Sequence, residues 1–147
     1  MLIQEIIQAI HPLQVIGMSD GLQSLNIEHL LTDSRQLGSK AENTLFFAIS
    51  TTKNDGANYI PQLAERGVKA FVLEKKSLDN LAELVPLAEL DSLVFLVTEN
   101  SLVALQTLAA YKRSLYHGPV IGITGSNGKT VVKEWLYQLL KDDYRIT

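Results

Sequence analysis

Lys129 and Thr130 directly follow Gly125, Ser126, Asn127 and Gly128, and this run of residue types suits a phosphate group. Glycines let a backbone come close to an anion, and the amides of a loop that opens a helix point toward it. In such a loop Lys129 reaches the terminal phosphates as a point charge, and the Thr130 hydroxyl ligates Mg²⁺. Gly125, Ser126, Asn127, Gly128, Lys129 and Thr130 therefore form the first candidate site, with Lys129 as its catalytic cation and Thr130 as its metal ligand. The general phosphate-loop motif also places a glycine six residues before the lysine. Ile123 stands there instead, and the nearest upstream glycine is Gly122. By themselves the four loop residues also describe an ordinary turn followed by a solvated first helical turn. The flanks favour phosphate: 120–124 reads as a buried strand, and Val132, Trp135, Leu136, Leu139 and Leu140 form one helix stripe.

The elements upstream form a longer pattern. Ile3, Ile6, Ile7 and Ile10 recur at helical spacing and Pro12 stops that helix before a short apolar stretch at 13–16. Short apolar runs at 30–33 and 45–49, bounded by turn formers, predict strands. Ile60, Leu63 and Ala64 share a helix face that Gly67 ends, and 70–73 reads as a buried strand. A second cycle follows, with Leu78, Leu81, Ala82 and Val85 on a helix, a strand at 93–97 and a helix at about 101–111. Alternation of this kind predicts an α/β fold whose sheet is substantially parallel. His117, Gly118 and Pro119 then mark a hinge, so the expected division is a domain at 1–117 and the beginning of another at 118–147. Tyr144, Arg145, Ile146 and Thr147 read as the beginning of a further strand. Tyr111, Lys112, Arg113 and Tyr116 read as a solvated helix end with cations at the negative pole of the dipole.

Composition narrows the classes of function. At 147 residues, with 46% hydrophobic and 20% charged residues, the chain has enough apolar material for one full domain with a real core. A net charge of -3 with scattered Lys and Arg offers no surface for a nucleic acid backbone. The absence of cysteine removes disulfides and thiolate metal sites, and His11, His29 and His117 are too dispersed to form a local metal motif. No basic leader precedes an apolar core, and no apolar run approaches the ~20 residues that span a bilayer. The expectation is a cytoplasmic protein with no membrane and no nucleic acid partner.

The run Gly122, Ile123, Thr124, Gly125, Ser126, Asn127, Gly128, Lys129, Thr130 resembles the short phosphate loop of the Mur ligases, which lacks the glycine missing here. Val132, Lys133 and Glu134 after it are similar to the branch of that family that joins D-alanyl-D-alanine to UDP-N-acetylmuramoyl-tripeptide. Glu134, Trp135, Leu136 and Tyr137 resemble the form fused to an alanine racemase, which would add pyridoxal phosphate as a cofactor only if a racemase domain follows. A second block agrees: Thr32, Asp33, Ser34 and Arg35, then Leu45, Phe46, Phe47 and Ala48, then Asp55 and Gly56, stand in the order of the ligase N-terminal domain.

The resemblance implies a UDP-sugar-binding N-terminal domain followed by the first strand, phosphate loop and helix of an ATPase domain. It places Ser34, Arg35 and Asp55 at the UDP substrate, with 50–55 beside the uracil. A hydroxyl and a planar guanidinium fork suit a diphosphate. Ser50 and Ala57 stand where relatives often carry glycine and histidine, which leaves the uracil contacts open. Asp33 and Ser34 also suit a plain strand-end turn, and Arg35 a surface ion pair. Phe46 and Phe47 alternate across their strand, and core packing is the expectation for both.

The implied reaction uses ATP and Mg²⁺ to turn a carboxylate into an acyl phosphate, which the dipeptide amine attacks. No general base is visible in the sequence, and these residues alone are not expected to catalyse. Another Mur-type ligase, a folate-polyglutamate ligase or a non-catalytic nucleotide-sugar-binding module remain as alternatives. Residues 118–147 are expected to pair with a second copy or to fold back on the first domain.

Overall fold

Phe46, Phe71 and Phe95 stand in register on three neighbouring parallel strands. The Phe46 and Phe71 rings meet edge to face at 6.4 Å, and the Phe71 and Phe95 rings stack at 5.4 Å. This aromatic rung lies at the centre of the fold in the computed structural model, which describes residues 1–52, 54–80, 85 and 92–146. Those residues fall in two compact units, Met1–Leu115 and Tyr116–Thr147.

The first unit is built on a five-stranded sheet of β1 (Gln14–Ile16), β2 (His29–Leu31), β3 (Thr44–Phe47), β4 (Ala70–Glu74) and β5 (Val94–Thr98). The order is β1-β5-β4-β3-β2, with β2 through β5 parallel and β1 antiparallel at one edge. Strands covered on both faces need apolar residues at every position, and β3, β4 and β5 are buried throughout.

Period-two alternation sends Phe46, Phe71 and Phe95 to the face covered by Ile60 and Leu63 of helix α2 (Ile60–Glu65). Leu45, Phe47, Val72 and Leu96 face the other way. They meet Ile3 and Ile6 of helix α1 (Ile3–Ile10) together with Ala104 and Leu108 of helix α3 (Ser101–Ser114). Both Phe46 and Phe47 are thus core residues, one on each face.

Local signals set the helix ends. The Glu5 carboxylate accepts the Leu2 amide at 2.9 Å, and His11 closes α1 in the left-handed conformation at φ 47°. Asn100 caps α3 by accepting the Val103 amide at 2.9 Å, and Lys112 and Arg113 lie in its last turn. Gly67, at φ 93°, supplies the turn between α2 and β4.

The expected α/β fold with a mostly parallel sheet is present. The stretch at 13–16 supplies strand β1, which the apolar pattern did not mark as a strand because only three residues pair there. The expected helix through Leu81 and Ala82 lies outside the described residues.

The second unit carries helix α4 (Lys129–Leu140). The buried strand expected at 120–124 is not formed: these residues pair with no strand, and Val120 and Ile121 are 59% and 61% exposed. A strand needs a neighbour for its amides and carbonyls, and this unit has no described strand to offer one. Nor do residues 144–146 form a strand. No described helix is long and apolar enough to cross a membrane.

Candidate functional site

Parallel strands leave all their carboxyl ends on one edge, where an open α/β sheet receives ligands. Asp33, Ser34 and Arg35 follow β2, Ser50 and Asp55 follow β3, and Lys75, Lys76 and Ser77 follow β4. Three segments far apart in sequence thereby reach the same edge. Ser34, Arg35 and Asp55, the residues expected at a UDP substrate, lie on the first two.

Asp33 caps a short 3-10 turn, Ser34–Gln36, with Oδ1 accepting the Arg35 amide at 3.1 Å. The Arg35 side chain also closes on this carboxylate, with Nε 2.9 Å from Oδ1 and Nη2 2.7 Å from Oδ2. These side-chain and backbone donations from Arg35 hold the Asp33 carboxyl well below the usual range, at about 2. In return the Asp33 carboxylate keeps the Arg35 guanidinium charged to still higher pH. Arg35 is exposed, so the pair fixes the direction of the fork more than it stabilises the fold. From the C-terminal end of α2, the Arg66 guanidinium donates to the Ser34 carbonyl at 3.3 Å and steadies the same turn.

Asp55 is held more completely. Its Oδ1 accepts the Ala57 amide at 3.0 Å and the Ser50 hydroxyl at 2.9 Å, and its Oδ2 accepts the Ser77 hydroxyl at 3.1 Å. Partial burial pushes its pKa up, but these three donors, with the nearby Lys76 ammonium, outweigh that and bring it below the usual carboxylate value. Gly56 lies so close to the end of β3 that a Cβ there would sit 2.7 Å from the carbonyl carbon of Ala48. The loop from β3 thus returns tightly onto the strand it leaves. Lys53, within that loop, lies outside the described residues.

In the second unit the loop before α4 turns through two glycines at positive φ, Gly125 at 142° and Gly128 at 78°. Both angles strain any residue with a side chain, which explains two of the loop's residue types directly. A Cβ added to Gly128 would meet nothing within 4 Å, so the backbone stands open there. No side chain caps α4, whose first-turn amides have no partner one turn earlier in the helix. The Lys129 ammonium bends back over the loop and donates to the Gly125 carbonyl, which keeps its charge above the glycines. Ser126, Asn127 and Thr130 are exposed around it. A backbone cradle with a helix N-terminus and a cation overhead suits the phosphates of a nucleotide, and the exposed Thr130 hydroxyl suits one position of a hydrated Mg²⁺.

The residue types had not singled out Ser77, Asn54 or Tyr59. The phenol oxygen of Tyr59 accepts from the Asn54 side-chain amide at 3.2 Å, which ties the loop to the following turn. A serine 22 residues beyond its partner carries no signal in a linear pattern.

The parallel sheet with polar groups at its carboxyl edge, and the glycine-flanked loop ahead of α4, define an α/β protein. Comparison with known proteins gives this class a family. A model of the Mur ligase family, catalytic domain, matches residues 26–113. The UDP-N-acetylmuramoyl-tripeptide--D-alanyl-D-alanine ligase of Borreliella burgdorferi is 34% identical over 125 residues, covering 82% of this chain and 26% of that protein. Among solved structures, UDP-N-acetylmuramoylalanyl-D-glutamyl-2,6-diaminopimelate--D-alanyl-D-alanyl ligase from Acinetobacter baumannii superposes with a TM-score of 0.69 at 27% identity. The match covers 95% of this chain and 28% of that one. MurF ligase from Thermotoga maritima in complex with ADP gives a TM-score of 0.56 at 28% identity, covering 86% of this chain and 25% of that one. The chain belongs to the Mur ligase family. It spans about a quarter of the length of these relatives.

Proposed function

We propose that this chain supplies the UDP-sugar-holding domain (1–117) and the phosphate loop (118–147) of a cytoplasmic, ATP-dependent amide-forming ligase. The intact protein joins D-alanyl-D-alanine to UDP-N-acetylmuramoyl-tripeptide. The observation that carries this reading is that Ser34, Arg35 and Asp55 all follow the carboxyl ends of two adjacent parallel strands, β2 and β3. Further support comes from a relative named for that reaction, 34% identical to this chain, and from a related ligase solved with ADP.

In the first domain, the Arg35 fork and the Ser34 hydroxyl receive the diphosphate, while the loop closed by Asp55 lies beside the uracil. Asp55 itself acts through the loop, because its oxygens already accept three internal donors. At the phosphate loop, the amides from Gly125 to Thr130 cradle the ATP phosphates and the Lys129 ammonium faces the terminal ones.

Transfer of the γ-phosphoryl group to the substrate carboxylate breaks its bond to ADP and forms an acyl phosphate. The amine of D-alanyl-D-alanine then attacks the acyl carbon, loses a proton and expels phosphate, leaving an amide. Lys129 neutralises charge on the transferring group, in a step governed by positioning and electrostatics. Thr130 would hold Mg²⁺, which would supply further neutralisation of phosphate charge.

Calorimetric titration of UDP-N-acetylmuramoyl-tripeptide onto the chain tests the first-domain assignment. Weak binding that disappears in the Ser34→Ala, Arg35→Ala double variant is the expected result. Absence of binding in the parent, or equal binding in the variant, overturns it.

A further inference from the structure

The geometry points to Ser77 as a positioning residue for the nucleotide-sugar site, holding the loop after β3 in its receiving conformation through Asp55. This inference rests on the preceding assignment of residues 50–55 to the uracil.

Ser77 is 2% exposed and ends the short 3-10 turn Lys75–Ser77 that follows β4. Its hydroxyl donates to Asp55 Oδ2 at 3.1 Å across 22 residues of sequence. The other two donors to this carboxylate are local. Ser50 stands five residues before it and the Ala57 amide two residues after it. Local bonds fold the loop on itself, whereas the Ser77 bond fixes where the folded loop stands against the next strand. A buried hydroxyl requires an acceptor, so the β4 exit and the loop select one another's position.

The Ser77 turn is itself anchored. Lys76 Nζ lies 2.8 Å from Glu74 Oε2, and Glu74 Oε1 accepts the Ser101 amide at the start of α3 from 3.3 Å. The support for the loop therefore runs from Asp55 through the β4 exit to a helix N-terminus.

The test is calorimetric titration of UDP onto the parent chain, Ser77→Ala and Ser77→Thr, with melting temperatures measured for each. Ser77→Ala is expected to weaken UDP binding roughly 10- to 150-fold, the range of one hydrogen bond to a charged group, while Ser77→Thr retains most of the affinity. Ile6→Val, which trims the core on the α1 side, serves as a control that lowers melting without lowering affinity. Amide hydrogen exchange at 54–58 is expected to quicken in Ser77→Ala alone.

Parent affinity in Ser77→Ala overturns the inference, as does an Ile6→Val variant that loses affinity in proportion to its melting. Should Ser77→Ala not fold, Ser77→Cys keeps the size with a weaker donor, and the same comparison decides. A parent chain that does not bind UDP overturns the site assignment together with this inference. Binding by the parent that ignores Ser77 removes this inference alone.

Discussion

The Arg35 guanidinium closes on both carboxylate oxygens of Asp33, at 2.9 Å and 2.7 Å, although only one residue separates them in the chain. Such a pair holds the fork in one direction before any ligand arrives. Immobilising a long side chain on binding costs roughly 0.5 to 1.5 kcal/mol, so a fork already held in place binds more tightly by about 2- to 10-fold. Asp33→Asn is therefore expected to weaken UDP binding by that factor with little change in melting, measured by calorimetry and thermal denaturation.

The same pair predicts a titration. Asp33 has its folded pKa lowered to about 2 by Arg35, so its favourable contribution is present above the ordinary carboxylate pKa and is lost as pH falls toward 2. Carboxyl-carbon NMR is expected to place the midpoint near 2 in the parent. In Arg35→Ala it returns toward the ordinary carboxylate range, and an unchanged midpoint would contradict the pairing.

Gly56 gives a stability prediction. A Cβ at this position would lie 2.7 Å from the Ala48 carbonyl carbon, 2.7 Å from the Ile49 nitrogen and 2.8 Å from the Ala48 Cα. All three are backbone atoms and cannot swing aside. Gly56→Ala is expected to destabilise the first domain by about 1 to 3 kcal/mol, the range of overpacked sites, and to abolish UDP binding as the loop shifts. Urea denaturation and calorimetry measure the two effects.

These residues also show how far a linear pattern reaches. The parallel strands were legible because strands covered on both faces must be apolar throughout, and 45–49, 70–73 and 93–97 are. Asp33 and Ser34 were legible as a strand-end turn, whereas a ligand role for Ser34, Arg35 and Asp55 was legible only through the family resemblance. What Asp55 does there was not legible, because its decisive partner, Ser77, is set by strand order and not by spacing. The apolar run at 120–124 misled for a related reason. Apolar residues describe a strand's surroundings only when neighbouring strands are present, and here Ile121 stands exposed.

Lys129 separates a functional effect from a structural one. It is an exposed cation at a helix N-terminus, where the dipole does not favour it, and its ammonium donates to the Gly125 carbonyl. Lys129→Ala is expected to leave the melting temperature of the intact protein unchanged. ATP affinity is expected to fall roughly 10- to 100-fold, as for loss of a charge-assisted phosphate contact. Retained ATP-dependent ligation, or a large fall in melting temperature, would count against the phosphate role.

The second unit leaves an apolar surface exposed. Val131, Trp135 and Leu139 recur every four residues along α4 and so share a face, and Trp135 and Leu139 are 64% and 73% exposed. Val120 and Ile121 add two further exposed aliphatic side chains in the same unit. Leaving such a side chain in water forfeits roughly 1.5 to 3 kcal/mol relative to burying it, so five together create a strong drive toward a partner. The unpaired amides and carbonyls at 120–124 provide a template for another strand, and a second copy of the same segment offers both an identical strand and an identical apolar helix face. We predict that the 147-residue chain self-associates through residues 118–147. Light scattering after size exclusion is expected to give a dimer or larger species at high protein concentration. The chain ending at Tyr116, and the chain carrying Trp135→Glu with Leu139→Glu, are expected to elute as monomers. A strict monomer for the parent chain, or an oligomer that persists after the truncation, rules out this surface as the cause.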